Sequence, residues 1–325
     1  MKKIIASMFC FLLLAGCAQQ ETEKQEDHTE KEIEEISASE EITIRDSVIS
    51  WDEKYVVIPE LKNEYEVWFF ADSHIITPDD AAPEEVQNYA TERQPVFANN
   101  IGVEPAQIFT QFIDQANAEQ PDLILFGGDI LDFPSDANIA FLKEALGKLS
   151  VPYLFVMGNH DWTYPWEYMT PEGAQKYRPL LEEITGMDSY MGMKEWDDIV
   201  FLAIDNSSNQ VAQEAVVGIE QAYATGKPIV LVQHVPFSSE ALIVRAKEDW
   251  ANPVTLGMQI HGGIPVNPVS DALYKNVLDD ESQIRLVLAG HVHFAYEERI
   301  AERTTEIITD AAFKGKAVKV YLSKE

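Results

Sequence analysis

At 325 residues, 46% of them hydrophobic, the chain is long enough to bury a large core. Its formal net charge of −31 repels polyanions, and no basic patch interleaved with aromatics offsets it, so a general DNA- or RNA-binding role is disfavoured. The only cysteines, Cys10 and Cys17, lie at the extreme N-terminus, leaving none in the body of the chain for a disulfide or a thiolate metal site.

The chain opens on Lys2 and Lys3, followed by an apolar stretch, Ile4 to Leu14, too short to span a bilayer comfortably. That is the pattern of a secretory signal. Its end, Leu14-Ala15-Gly16-Cys17, resembles the lipobox of bacterial lipoproteins. The resemblance implies a lipoprotein signal over residues 1–17, a lipid on Cys17 and an extracytoplasmic protein anchored to a bacterial membrane. From Ala18 to Arg45 the composition shifts to Glu, Gln, Lys, Thr and Ser, with Glu32, Glu34 and Glu35 in a run lacking aromatics. Residues 18–45 therefore read as an acidic flexible tether, and residues 46–325 as the folded body.

Within that body, five short apolar runs read as buried strands: Val67 to Ala71, Leu123 to Phe126, Tyr153 to Met157, Ile229 to Val232 and Leu286 to Ala289. Between them Ile108, Phe109, Phe112, Ile113 and Ala116 recur at helical spacing, as do Phe141, Leu142 and Leu146. Gly226-Lys227-Pro228 stops a helix before the next strand. The alternation is that of an α/β fold, in which ligands gather beyond the carboxyl ends of the strands.

A polar cluster follows each run. In order they are Asp72-Ser73-His74, Gly128-Asp129-Ile130-Leu131-Asp132, Gly158-Asn159-His160-Asp161, His234 in Gln233-His234-Val235-Pro236, and Gly290-His291-Val292-His293. Five of the seven histidines fall in them, all but His28 and His261. One such pair is weak, being more often a turn or a satisfied histidine, but five in one order are specific. Their order and content resemble the calcineurin-like metallophosphoesterase family over Glu64 to Tyr321. The resemblance implies a layered α/β/β/α sandwich with two mostly buried sheets flanked by helices. It also implies metal-dependent hydrolysis of a small phosphorylated substrate, a phosphomonoester or small phosphodiester, by a dinuclear centre and a bridging hydroxide.

Carried over residue by residue, the family's pattern assigns Asp72, His74 and His293 to one metal. Asn159, His234 and His291 fall to the other, and Asp129 bridges both. Such oxygen and nitrogen donors suit two divalent or trivalent ions, Mn, Fe or Zn, about 3.5–4 Å apart. His160 is left without a ligand role, and the resemblance implies a place near the leaving group as general acid or transition-state stabiliser, its ring oriented by Asp161. Asp161 and Asp132 also each read as a turn or supporting hydrogen-bond residue without direct catalysis, and Gly128, Gly158 and Gly290 as tight-turn residues.

Two departures narrow the subclass. Phe133, not Arg, follows Asp132, which disfavours a protein Ser/Thr phosphatase, and Asp132 stands where purple acid phosphatases place a tyrosine ligand. Trp162, Tyr164, Trp166 and Tyr168 lie just beyond His160, either as substrate contacts or as anchors of an irregular surface loop. Phe237 to Val269 reads as a long loop or cap, with His261 as a surface residue. The alternative from another class is a non-catalytic lipoprotein that binds phosphorylated ligands on the same fold.

Overall fold

The computed structural model describes residues 48–98, 102–188, 190–250 and 267–325. The signal, the tether, Cys17 and His261 lie outside them. In chain order the first half contains β1 (Ser50–Val57), β2 (Tyr65–Phe70), α1 (Glu84–Arg93), α2 (Pro105–Glu119), β3 (Leu123–Phe126), α3 (Asp136–Gly147), β4 (Tyr153–Phe155), α4 (Asn159–Thr163) and α5 (Pro171–Thr185). The second half contains β5 (Met191–Glu195), β6 (Val200–Ile204), α6 (Val216–Ala224), β7 (Ile229–Val232), α7 (Glu240–Trp250), α8 (Pro268–Leu278), β8 (Ile284–Ala289), β9 (Tyr296–Arg299), β10 (Thr305–Ile308) and β11 (Lys316–Ser323).

The strands form two mixed sheets, ordered β1-β11-β2-β3-β4 and β5-β6-β7-β8-β10-β9. Side-chain alternation explains how they stack. Along β2, Val67 and Phe69 point into an apolar layer shared with Phe201, Val230, Val232, Leu286 and Leu288 of the other sheet. Trp68 and Phe70 point the opposite way, onto Ile108, Phe109 and Phe112 of α2. In the second sheet Leu202, Ile229, Leu231 and Val287 pack outward with Ile219 of α6 and Leu273 and Val277 of α8. Both faces of the central strands are therefore covered, which is why their sequences are continuously apolar. The expected order of layers, helices, sheet, sheet, helices, is the one observed.

Local signals fix where the helices begin. Pro105 opens α2 behind a capping box between Glu104 and Gln107, and the Ser135 hydroxyl at the head of α3 accepts the Asn138 N–H at 3.1 Å. The segment expected as a long loop is partly regular, because Glu240–Trp250 forms α7, whose Leu242 and Ala246 are buried with Val292 and Phe294.

Strands β2, β3 and β4 are parallel neighbours, as are β6, β7 and β8. Their carboxyl ends therefore reach one edge in each sheet, and every polar cluster follows such an end.

Candidate metal centre

The loops beyond the strand ends are tied together by main-chain bonds. Asp72 N–H donates to Gly128 O at 3.0 Å, His74 N–H to Asp129 O at 2.9 Å and Gly290 N–H to His234 O at 3.0 Å. The turns are tight, and five of the seven non-glycine residues with positive φ among the described residues are Asp72, His74, Asp129, His291 and His293. A side chain in that region costs on the order of 1–3 kcal/mol. Strain of this kind persists only where the surroundings hold it, and here it falls on five proposed ligands.

Of the three motif glycines, only Gly128 has a positive φ, +88°. Gly158 and Gly290 are needed for close approach instead of for a turn. A Cβ on Gly158 would lie 2.2 Å from Asp129 Oδ1, and one on Gly290 would lie 2.6 Å from Asp72 Oδ2.

The expected residues converge. Asp72, His74 and His293 present ligand atoms within 4.8 Å of one another, and so do Asp129, His234 and His291. A third such group joins His74, Asp129 and His160. The first two groups hold five of the six residues expected as the two ligand sets, all but Asn159, and Asp129, expected between them, belongs to the second group and to the third.

Ring orientation suits metal binding. His74 Nδ1 donates to Asp132 Oδ1 at 3.0 Å and His234 Nδ1 donates to Gly127 O at 2.8 Å. Each imidazole thus turns its Nε2 inward, where His74 meets His293 Nε2 at 3.0 Å and His234 meets Asp129 Oδ2 at 3.2 Å. Asn159 Oδ1 is buried without a hydrogen-bond partner among the described residues, an acceptor suited to a cation.

Electrostatics agree. Burial pushes Asp72 up to about 7 against the pull of His234, as expected for a carboxylate in want of a cation. Burial also acts on Asp129, but His234 and His160 outweigh it and hold the carboxyl well below its usual range. Burial lowers His234, yet Asp129 overcomes it and raises the ring to about 9. A proton on His234 Nε2 takes the place between imidazole and carboxylate that a metal ion would contest. These residues fit a pair of hard-to-borderline cations.

Of the two readings of Asp161, the turn residue is the one observed. Asp161 does not orient His160, since its carboxylate accepts the N–H groups of Asp129 and Gly158 at Oδ2 and of Leu131 at Oδ1, at 2.8–2.9 Å. It braces the turn that carries Asp129. Asp132 holds His160 instead, its main-chain O accepting from Nδ1 at 2.9 Å and its Oδ1 lying 3.2 Å away. The His160 ring is lowered by burial but raised more by Asp129 and Asp132, so it keeps its proton above the ordinary range.

The four aromatics after His160 divide. Trp162 is buried, donating to Ser207 Oγ at 2.8 Å beneath Arg178, and Tyr168 packs on Tyr177. Tyr164 stacks on His160 at 4.9 Å, and Trp166, 53% exposed, meets that ring edge-on at 5.2 Å.

Several supporting residues carry no motif. Asn206 Oδ1 accepts the N–H groups of His234 and Val235 at 3.1 and 2.9 Å. It follows the apolar run of β6, a signal of the same kind as those before the clusters. Trp250 of α7 donates to Val292 O at 2.8 Å and lies 5.1 Å from the His293 ring. Arg93 of α1 forms a double bond pair with Asp132, Nε to Oδ2 and Nη2 to Oδ1, both at 2.8 Å. Nothing in the polar sequence of α1 points to it.

The sequence model described as calcineurin-like phosphoesterase matches residues 65–295. Among solved structures, a dimetal phosphatase from Danio rerio is similar at 11% identity and a TM-score of 0.43, covering 77% of this chain and 88% of that one. A phosphopantetheinyl hydrolase from Mycobacterium tuberculosis is similar at 11% identity and 0.38, covering 79% and 92%. A 5'-nucleotidase from Candida albicans is similar at 12% identity and 0.39, covering 81% of this chain and 47% of its own.

Proposed function

The chain belongs to the calcineurin-like phosphoesterase family and is a phosphoesterase hydrolase, and from that premise we propose that it cleaves phosphomonoesters or small phosphodiesters with two metal ions. The observation that carries the reading is the convergence of Asp72, His74 and His293 into one group and of Asp129, His234 and His291 into another, with Asp129 also grouped with His74 and His160. Asp72, His74 and His293 would hold one ion, Asn159, His234 and His291 the other, and Asp129 would serve both. Bound there, Mn, Fe or Zn ions would supply Lewis acidity toward phosphoryl oxygens and an activated water.

The chain's own residues do the rest. His234 and His74 keep their Nε2 atoms aimed inward because Gly127 O and Asp132 hold the other nitrogen. His160 is the proton donor to the departing alkoxide, and the neighbouring carboxylates Asp129 and Asp132 favour its charged form. Tyr164 and Trp166 flank that ring and so border the leaving group. A cationic centre inside an otherwise acidic surface also favours small substrates over long polyanions.

The lipobox-like Leu14-Ala15-Gly16-Cys17 supports an extracytoplasmic hydrolase tethered to a membrane by lipid on Cys17. Labelling with a radioactive fatty acid should mark the chain and not its Cys17→Ser variant. For the chemistry, protein loaded with Mn should hydrolyse p-nitrophenyl phosphate or its bis ester. Asp129→Asn and His160→Ala should each lower kcat by on the order of 10²-fold or more. Unchanged turnover in both variants would remove the mechanism, and ion binding without turnover would favour a phospholigand-binding scaffold.

A further inference from the structure

Asp132 is fully buried and surrounded by donors. Its Oδ1 faces Arg93 Nη2 at 2.8 Å, His74 Nδ1 at 3.0 Å and His160 Nδ1 at 3.2 Å, while Oδ2 receives Arg93 Nε at 2.8 Å. Arg93, His74 and His160 are linked a second time through rings. The Arg93 guanidinium lies between Tyr164 at 4.5 Å and Phe97 at 5.0 Å. Tyr164 stacks on His160 at 4.9 Å and 19°, and Phe97 stacks on His74 at 4.2 Å and 7°. The result is a closed circuit, with the carboxylate at its hub.

We infer that Arg93 is a positioning residue that sets a metal ligand, His74, and the proton donor, His160, together through Asp132. This rests on the roles given to those histidines above. The physical reason is geometric. A carboxylate shared by two imidazoles can rotate toward either, and a planar fork bound to both oxygens removes that freedom. The aromatic spacers fix the height of each imidazole relative to the guanidinium. Lysine offers one rotatable ammonium and cannot hold both oxygens in that plane. Arg93 and Phe97 come from a segment between the first two motifs, so this chain supplies the brace from outside the matched clusters.

The test uses the full chain and its Arg93→Gln and Arg93→Lys variants, with two readouts. In calorimetric titration of chelator-treated protein with Mn, Arg93→Gln should weaken one of two binding events about 10–100-fold and leave the other near wild type. At saturating Mn, kcat should fall at least about 10-fold more for an alkyl phosphate than for p-nitrophenyl phosphate, with KM little changed, because a poor leaving group depends more on the proton donor. Arg93→Lys, which keeps charge and stem, should lie between wild type and Arg93→Gln in both readouts. Equal losses on the two esters together with unaltered Mn binding would overturn the assignment, as would a wild-type response from Arg93→Lys should Arg93→Gln fail to fold. If wild-type protein turns over neither ester, the hydrolase reading falls, and the Mn titration still decides the role of Arg93.

Discussion

The two halves of the centre are supported by different means. On the His74 side the supporting groups are charged side chains: Asp132 holds the imidazole and Arg93 holds Asp132. On the His234 side they are main chain and amide: Gly127 O holds the ring, and Asn206 holds the backbone. Two buried carboxyls outside the proposed ligand sets, Asp132 and Glu306, differ in the same way. Asp132 is pushed up by burial but held well below its usual range by Arg93, His160 and His74. Glu306 of β10, which accepts the Phe237 N–H at 2.8 Å, is pushed by burial up to about 8. One half can be altered by replacing side chains that are not themselves ligands, whereas the other is built into strand ends and yields mainly to changes in the fold.

The largest effect should come where the halves meet. Gly158→Ala places a methyl 2.2 Å from Asp129 Oδ1, so the carboxylate serving both sides must move. Turnover should fall by about 10²-fold, the order of loss expected from a misplacement near 1 Å. A kcat within twofold of wild type would show that the two sides do not share Asp129. Next, Asp132→Asn should weaken Mn binding at one site by about 10–100-fold and spare the other. Equal weakening at both sites, seen by titration, would erase the distinction between the halves.

Asn206→Ala should act mainly on stability. It leaves the buried N–H groups of His234 and Val235 without their acceptor, at a cost of about 1–3 kcal/mol. Urea unfolding should register that loss, and Mn affinity per folded molecule should change less than in Asp132→Asn. The smallest effect concerns Glu306, whose folded pKa lies above its ordinary 4.5. Below 4.5 both folded and unfolded chains hold the proton and the contribution is complete. As pH rises toward 8, the unfolded chain releases its proton first, so stability falls. Glu306→Gln should therefore melt within about 2 °C of wild type at pH 5 and a few degrees above it at pH 9. Parallel pH curves for the two proteins would contradict the sign.

The same contrast decides what could be read from the sequence. Strands β2, β3, β4, β7 and β8 are legible because burial on both faces leaves unbroken apolar runs, and the clusters after them supply all seven proposed ligands. Strands β1 and β9 are not, because SWDEKYVV and YEER alternate with solvent and are fixed by pairing with β11 and β10. From the sequence Asp161 reads either as orienting His160 or as a turn residue, and the motif alone does not choose between them. Three-dimensional placement sends its oxygens to backbone amides and leaves His160 to Asp132. Arg93 is invisible for a different reason. It sits in a polar helix with no buried residue, 39 positions before its partner, and only the folded chain brings them together.

The central claim is that these clusters form a two-ion hydrolytic centre. It is tested most directly by following the initial rate of p-nitrophenyl phosphate hydrolysis while Mn is added to chelator-treated full-length protein. The account predicts negligible rate in the metal-free chain, and a plateau once two ions are bound per chain. A protein that binds two ions and hydrolyses nothing, or one whose rate is complete without metal, would contradict it.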